Sequence, residues 1–347
     1  MLKKLLIFLL SLAIVLALVY TFGPRERVQD LLGEYPTVPT RMGELEELIR
    51  SKEDTVQGLK PGNEAKIIWA DEQNKSKTPY SIVYIHGFGA SEREGSPVNR
   101  RLGEYFAANV YLVRLPEHGI NRPDAFRHLS AQMLVDEVRE AYMIGKSLGD
   151  SVIVVGTSMG GALSLVLASE RPDMKALVLY SPAIREGGDA LEQFFKPWSK
   201  YLAENFLYDN GVRLTPREGD KARFWSEQYH VNSFSSLAVL LRSKMTEDTF
   251  KNVSQPTFLG YYYKNDEEQD FVVSVPKMQE MYNSISTPER LKRKVAFPET
   301  GDHVIASDIT SKDWESVLQE TIDFLENVAR VKKNSKSESQ NELREAA

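Results

Sequence analysis

The 347-residue chain contains no cysteine, which excludes a disulfide-stapled scaffold, a zinc ribbon, an iron–sulfur cluster and a catalytic thiol. It also lacks an excess of positive charge. With 43 Lys and Arg against 49 Asp and Glu, the net charge is −6, so a nucleic-acid binder driven by phosphate contacts is not expected. No internal repeat is found, and histidine is scarce, with 5 in all. What remains, 42% hydrophobic and 27% charged residues, is an ordinary globular mix. The length suits one enzyme-sized α/β core with insertions.

Long apolar runs are also rare, with one exception at the start. Lys3 and Lys4 precede an uncharged stretch from Leu5 to Phe22, LLIFLLSLAIVLALVYTF. At helical rise its eighteen residues reach roughly 27 Å, close to a bilayer core. A cleaved signal peptide would end in a small-x-small site, but Tyr20, Thr21 and Phe22 stand there. Residues 1–22 are therefore read as an uncleaved transmembrane signal anchor, with the folded part on the periplasmic or extracytoplasmic side. Residues 23–60, with Pro24, Pro36 and Pro39 and a short charged helix near Gly43 to Lys52, read as a spacer that carries the folded part off the membrane.

From about Pro61 to residue 330, apolar runs alternate with helical patterns, as in parallel βα units. Ser81–Ile85, Val110–Val113, Ser151–Val155, Ala176–Tyr180, Thr257–Tyr263 and Lys294–Phe297 are the expected strands, apolar enough for a sheet covered on both faces. About seventy residues separate the fourth and fifth, too many for a loop. The insertion at about 184–253 holds Phe194, Phe195, Trp198, Tyr201, Phe206, Trp225 and Tyr229 and is expected to be a small helical lid. Residues 331–347 form a polar tail.

The chemistry enters at Gly156-Thr157-Ser158-Met159-Gly160. This pentapeptide follows a strand directly and precedes the apolar helix start Gly161–Leu167, the context of a nucleophile elbow. A serine needs a base. Among the histidines, His303 in Gly301-Asp302-His303-Val304 follows the last strand in a turn, so it can reach the top of the sheet. The acid is expected between nucleophile and base in the chain, and Asp266 and Asp270 both satisfy that order. Acyl transfer also requires oxyanion donors, worth roughly 3 to 4 kcal/mol for one such donor. His86-Gly87-Phe88-Gly89 after the first strand suggests the backbone amides of Phe88 and Met159. No metal or cofactor is required.

In HGFGAS, EREGSPV, RLPEHG, GTSMGG, YYYKND and GDHV the chain resembles the α/β-hydrolase family, in its bacterial carboxylesterase and monoacylglycerol-lipase-like branch, over about Pro61 to Asn327. The resemblance implies an eight-stranded, mostly parallel sheet with helices on both faces and a lid. It also implies a metal-free mechanism in which Ser158 attacks an acyl ester, lipid-derived esters and thioesters included, and an acyl-enzyme forms. Asp270, followed by Phe271-Val272-Val273, is similar to the family's Asp-x-Val-Val step and is preferred over Asp266. Two other classes share such a scaffold: an enzyme cleaving peptide or C–C bonds, and a catalytically silent binding module.

Overall fold

Runs of Val, Ile, Leu and Tyr too apolar to face water become the strands of one sheet. The computed structural model describes residues 1–333. Its sheet comprises β1 (Lys66–Ile68), β2 (Thr78–Ile85), β3 (Asn109–Leu112), β4 (Gly149–Thr157), β5 (Ala176–Tyr180), β8 (Thr257–Tyr261) and β9 (Lys292–Ala296), in the order β1-β3-β2-β4-β5-β8-β9. Only β1 runs antiparallel to its neighbour. The order reverses between β2 and β4, and that reversal opens the crevice beyond the strand ends where α/β sheets place their sites.

Among the described residues the sheet has seven strands rather than eight. Ahead of β1, Gly58, Pro61 and Gly62 break any extended run, and Leu59 makes only an isolated bridge to Ile120. β1 is also a strand that the sequence patterns did not suggest, being three residues long at the sheet edge.

Helices cover both faces, as alternating βα connections require. On one side α4 (Ala131–Leu148) and α5 (Met159–Glu170) bury against the sheet; α4 starts where the Ser130 hydroxyl accepts the Met133 amide. Nearly every residue of α5 is buried, which explains its lack of a polar face. On the other side α3 (Val98–Phe106) and α11 (Trp314–Asp323) join Phe258, Phe324 and Val331 in a second apolar cluster.

The insertion after β5 is not wholly helical. It holds α6 (Ser199–Leu202), α7 (Gly219–Phe224), α8 (Val231–Lys244) and α9 (Glu247–Lys251), together with a π-type turn at Ala203–Leu207. An antiparallel pair is also present, β6 (Val212–Leu214) with β7 (Gln228–His230). The last helix between strands, α10 (Val275–Ser284), is capped by the Ser274 hydroxyl.

At the N-terminus α1 (Leu2–Thr21) has a mean hydropathy of 2.5 and buries none of its residues. The segment after it is not a free spacer. Leu31, Val38 and, on α2 (Met42–Asp54), Leu45 and Ile49 are buried in the same apolar cluster as α4. Arg139 donates to the Leu31 carbonyl at 3.1 Å, Gln132 to that of Leu32 at 2.8 Å, and Glu53 holds Arg114 at 2.6 and 3.0 Å. A proline-rich stretch with a leucine at intervals has enough apolar surface to pack along the domain. Of the polar tail expected at 331–347, residues 334–347 lie outside the described residues.

Candidate active site

β4 is the central strand and delivers Ser158 at its C-terminal end. Ser158 takes φ 54°, ψ −119°, a conformation costing of order 1–3 kcal/mol for a residue with a side chain. The cost is met locally. Its amide donates to Tyr180 O at 2.9 Å, and its carbonyl accepts the amides of Ala162 (3.1 Å) and Ala183 (2.9 Å). Gly160 is obligatory in the turn, because a Cβ there would stand 2.0 Å from the Ile85 carbonyl oxygen.

The register of β2 on β4 sets Ile85 opposite Gly156, so Gly87, two residues on, lies beside Ser158. A Cβ on Gly87 would sit 3.0 Å from Ser158 Cβ and 3.0 Å from both carboxylate oxygens of Glu94. His86 pins this loop. Its Nε2 accepts the Leu115 amide at 3.1 Å, which fixes the tautomer, and Nδ1–H donates to Gly87 O at 2.9 Å. Burial drives its pKa down to about 4, so it stays neutral near pH 7. His118, buried and turned to Pro116 O, is likewise held well below its ordinary pKa by burial. The fourth histidine in sequence, His230, is also buried and starts α8 by accepting the Asn232 amide.

His303 reaches the crevice from the turn after β9. Its Nδ1 donates to Asp270 Oδ2 at 2.6 Å, while Asp270 Oδ1 accepts the amides of Val272 (2.9 Å) and Val273 (3.2 Å). That leaves Nε2 as the acceptor atom of the ring. It is buried and has no hydrogen-bond partner among the described residues. Burial opposes charge on the imidazole, but the Asp270 carboxylate outweighs it and holds the pKa above the ordinary value. Asp266 is elsewhere: it accepts the Tyr263 hydroxyl at 2.9 Å in an exposed loop. The residues Glu267–Gln269 turn back so that the Asp270 amide bonds Tyr262 O at 3.1 Å.

A cavity of about 330 Å³ brings Ser158, His303, Phe88 and Met159 together. The amides of Phe88 and Met159 make no turn or loop hydrogen bond among the described residues. The roof comes from the insertion, through Leu191, Trp225, Leu237 and Leu241. It is joined to the loop below: the Ser226 amide donates to Gly89 O at 2.6 Å, and Tyr229 stacks on Phe88 with ring centroids 5.4 Å apart. A second cavity of about 390 Å³ shares Glu186, Leu191 and Leu241 with the first.

Residues 82–308 match the sequence profile of the Alpha/beta hydrolase family. The chain belongs to that family. Over 110 residues it is 34% identical to a thermostable monoacylglycerol lipase of Bacillus sp. (strain H-257), covering 30% of this chain and 42% of the relative. Over 136 residues it is 28% identical to lipase 1 of Psychrobacter immobilis, covering 39% and 41%. The matches therefore span about two-fifths of each curated relative. Among solved structures, a metagenome-derived lipolytic enzyme from work on LipS and LipT is similar with a TM-score of 0.61 at 21% identity, over 77% of this chain and 98% of that one. A Paleococcus ferrophilus monoacylglycerol lipase follows with 0.56 at 13%, over 77% and 98%. These structural likenesses speak for the fold.

In this α/β-hydrolase chain one residue near the serine escaped the sequence patterns. Glu94 is 2% exposed, lines the cavity, and accepts the Gly87 amide at 2.5 Å. Burial raises its pKa to about 7, although the Gly87 amide and His303 oppose the rise. Its sequence neighbourhood, Glu92-Arg93-Glu94-Gly95, looks like a solvated charge cluster. No local periodicity distinguishes the buried carboxylate from Arg93 beside it.

Proposed function

We propose that the protein is a serine hydrolase that cleaves carboxylic esters, those of lipid origin in particular, through an acyl-enzyme. The observation that carries this reading is the oriented imidazole: Asp270 accepts a hydrogen bond from Nδ1–H, which leaves Nε2 as an unpartnered acceptor on a residue that lines the same cavity as Ser158. In the proposed reaction His303 Nε2 takes the Ser158 proton as Oγ attacks the acyl carbonyl. The amides of Phe88 and Met159 hold the resulting oxyanion. Collapse expels the alcohol, which takes the proton from His303, and the acyl group stays esterified to Ser158 Oγ. Water, deprotonated by the same imidazole, then releases the acid and restores the serine. Asp270 keeps the ring in the useful tautomer and offsets its transient charge.

Similarity to a monoacylglycerol lipase and a lipase supports an acyl-ester substrate, as does the apolar part of the cavity wall. α1 is proposed to anchor the protein in a membrane. Lys3 and Lys4 would keep its start in the cytoplasm and the catalytic domain on the far side.

Labelling of the full chain in detergent with a fluorophosphonate tests the central reading. The probe is expected on Ser158, and Ser158→Ala should abolish both labelling and turnover of p-nitrophenyl esters. Labelling elsewhere, or full turnover by Ser158→Ala, would reject it. Carbonate-resistant membrane association of the undiminished chain tests the anchor, and a soluble form starting near residue 23 would count against it.

A further inference from the structure

The roof of the cavity and the membrane-anchor candidate touch. The indole Nε1 of Trp198 donates to the carbonyl of Val19, inside the last turn of α1, at 2.9 Å, and the Trp198 amide donates to Pro24 O at 2.7 Å. The Glu26 amide donates to Phe194 O at 3.0 Å. Burial alone would raise the Glu26 pKa, but the Ser235 hydroxyl and Lys200 ammonium, both bonded to its carboxylate, hold it below its ordinary value. Five residues past the helix end, the chain is thus fastened to the insertion on both sides of α6. The stretch that follows, to Ile49, is packed against the domain. The domain has no slack with which to stand off from the bilayer.

Next to that clamp the insertion turns apolar side chains outward. Tyr201, Leu202, Phe206 and Leu207 are 48%, 50%, 75% and 68% exposed. They continue directly from the helix end: Trp198 meets Tyr201 with ring centroids 5.8 Å apart, and Tyr201 meets Phe206 at 6.2 Å. Tryptophan and tyrosine at the end of a spanning helix, followed by aliphatic and phenyl groups, match the chemistry of the interface between headgroups and acyl chains. Water gives no reason for such a row on a folded surface.

We propose that Trp198, Tyr201, Leu202, Phe206 and Leu207 form a membrane-docking face, which seats the roof of the active site in the bilayer surface beside α1. This rests on the anchor reading above and extends it to the substrate. The docked segment runs without a break from Leu191, which lines the cavity. An amphiphilic ester held in the bilayer by its acyl chain therefore enters beneath the roof without first dissolving in water. The substrate class is bilayer-resident, lipid-derived esters.

The absence of cysteine makes the test direct. Single variants Leu10→Cys, Phe206→Cys and Asp150→Cys of the full chain are labelled with an environment-sensitive nitrobenzoxadiazole and reconstituted in phosphatidylcholine vesicles with and without doxyl-labelled lipid. Asp150, at the opposite end of β4 and on the surface, is the reference. Quenching is expected at positions 10 and 206 and not at 150. Quenching at position 10, with position 206 matching 150, overturns docking and keeps the anchor. No quenching at position 10 removes the anchor and docking with it. Neither readout depends on hydrolysis, so failure of the hydrolase reading is separate. In the activity arm, the double variant Phe206→Asp/Leu207→Asp should lose about tenfold or more in hydrolysis of a long-chain monoacyl ester presented in vesicles, because docking scales with buried apolar area. Its turnover of a soluble short-chain ester should stay within about twofold. Equal rates on both substrates in variant and wild type would overturn the proposal.

Discussion

The floor and the roof of the cavity are built on opposite principles. The floor sits on strands whose residues are almost all buried, with Ser158, Gly87 and Tyr180 tied by backbone bonds and by strand register. The insertion that forms the roof joins one longer helix, α8, to short pieces with left-handed residues at Trp198 and Asn210, and it turns Tyr201, Leu202, Phe206, Leu207 and Leu214 outward. A close-packed sheet holds reacting atoms to a fraction of an ångström, whereas a loosely built insertion adapts to what it covers. Chemistry should therefore fail through the floor, and substrate choice should change through the roof.

The largest test of that division is Ser158→Ala or His303→Ala. Each is expected to lower kcat by several orders of magnitude, about 10⁶ for the corresponding loss in a well-studied serine protease, on soluble and vesicle-borne esters alike. Next comes the pair of aspartates. Asp270→Asn should cost about 10⁴ in kcat because the ring is left in the wrong tautomer, while Asp266→Asn, in its exposed loop, should stay within a factor of about two. Near-normal kcat for Asp270→Asn, with a folded but crippled Asp266→Asn, would reverse the roles.

Glu94→Gln is a smaller and more specific test. The glutamine oxygen can still accept the Gly87 amide, but the negative charge facing His303 is gone. A carboxylate there favours imidazolium, and the base must be neutral to act. The rising limb of kcat/KM against pH should therefore move to lower pH in Glu94→Gln. Stability should respond with a definite sign. The folded-state pKa of Glu94, about 7 against an ordinary 4.5, means that the fold favours the protonated acid; stability from this group is present below about pH 4.5 and is lost as pH rises through 7. The substitution should then raise the unfolding midpoint more at pH 8 than at pH 5, with up to about 3 kcal/mol at stake. Equal midpoint shifts at both pH values would refute the buried acid.

The smallest expected effects belong to the roof. Leu191→Ala or Leu241→Ala should leave acetate esters nearly unchanged and reduce kcat/KM on esters of eight to twelve carbons by about tenfold, the value of one or two lost apolar contacts. A uniform fall across chain lengths would place these leucines with the floor.

Much of the floor was legible in advance. Six of the sheet's seven strands begin or end within two or three residues of the runs that suggested them, because strands covered on both faces are largely apolar. Ser158 was visible for the same kind of reason, since its turn admits only glycine where Gly160 approaches the Ile85 carbonyl. Legibility failed where pairing was non-local. β1 is three residues recognised only by its partner β3; β6 and β7 find each other across the insertion. Residues 23–60 look like a spacer until Leu31 and Val38 meet the domain.

The sequence by itself determined most of the elements, the serine between its glycines, the chain order of candidate serine, aspartate and histidine, and the apolar helix at the start. Each depends on local sterics, hydrophobic period or run length, which neighbouring residues fix. Only the tertiary structure decided which aspartate faces His303, that Glu94 is buried beside Ser158, and that the roof is fastened to the end of α1. Those three facts depend on distances between segments far apart in the chain. A carboxylate or an indole carries the same local signal whether it meets water or a partner brought to it by the fold.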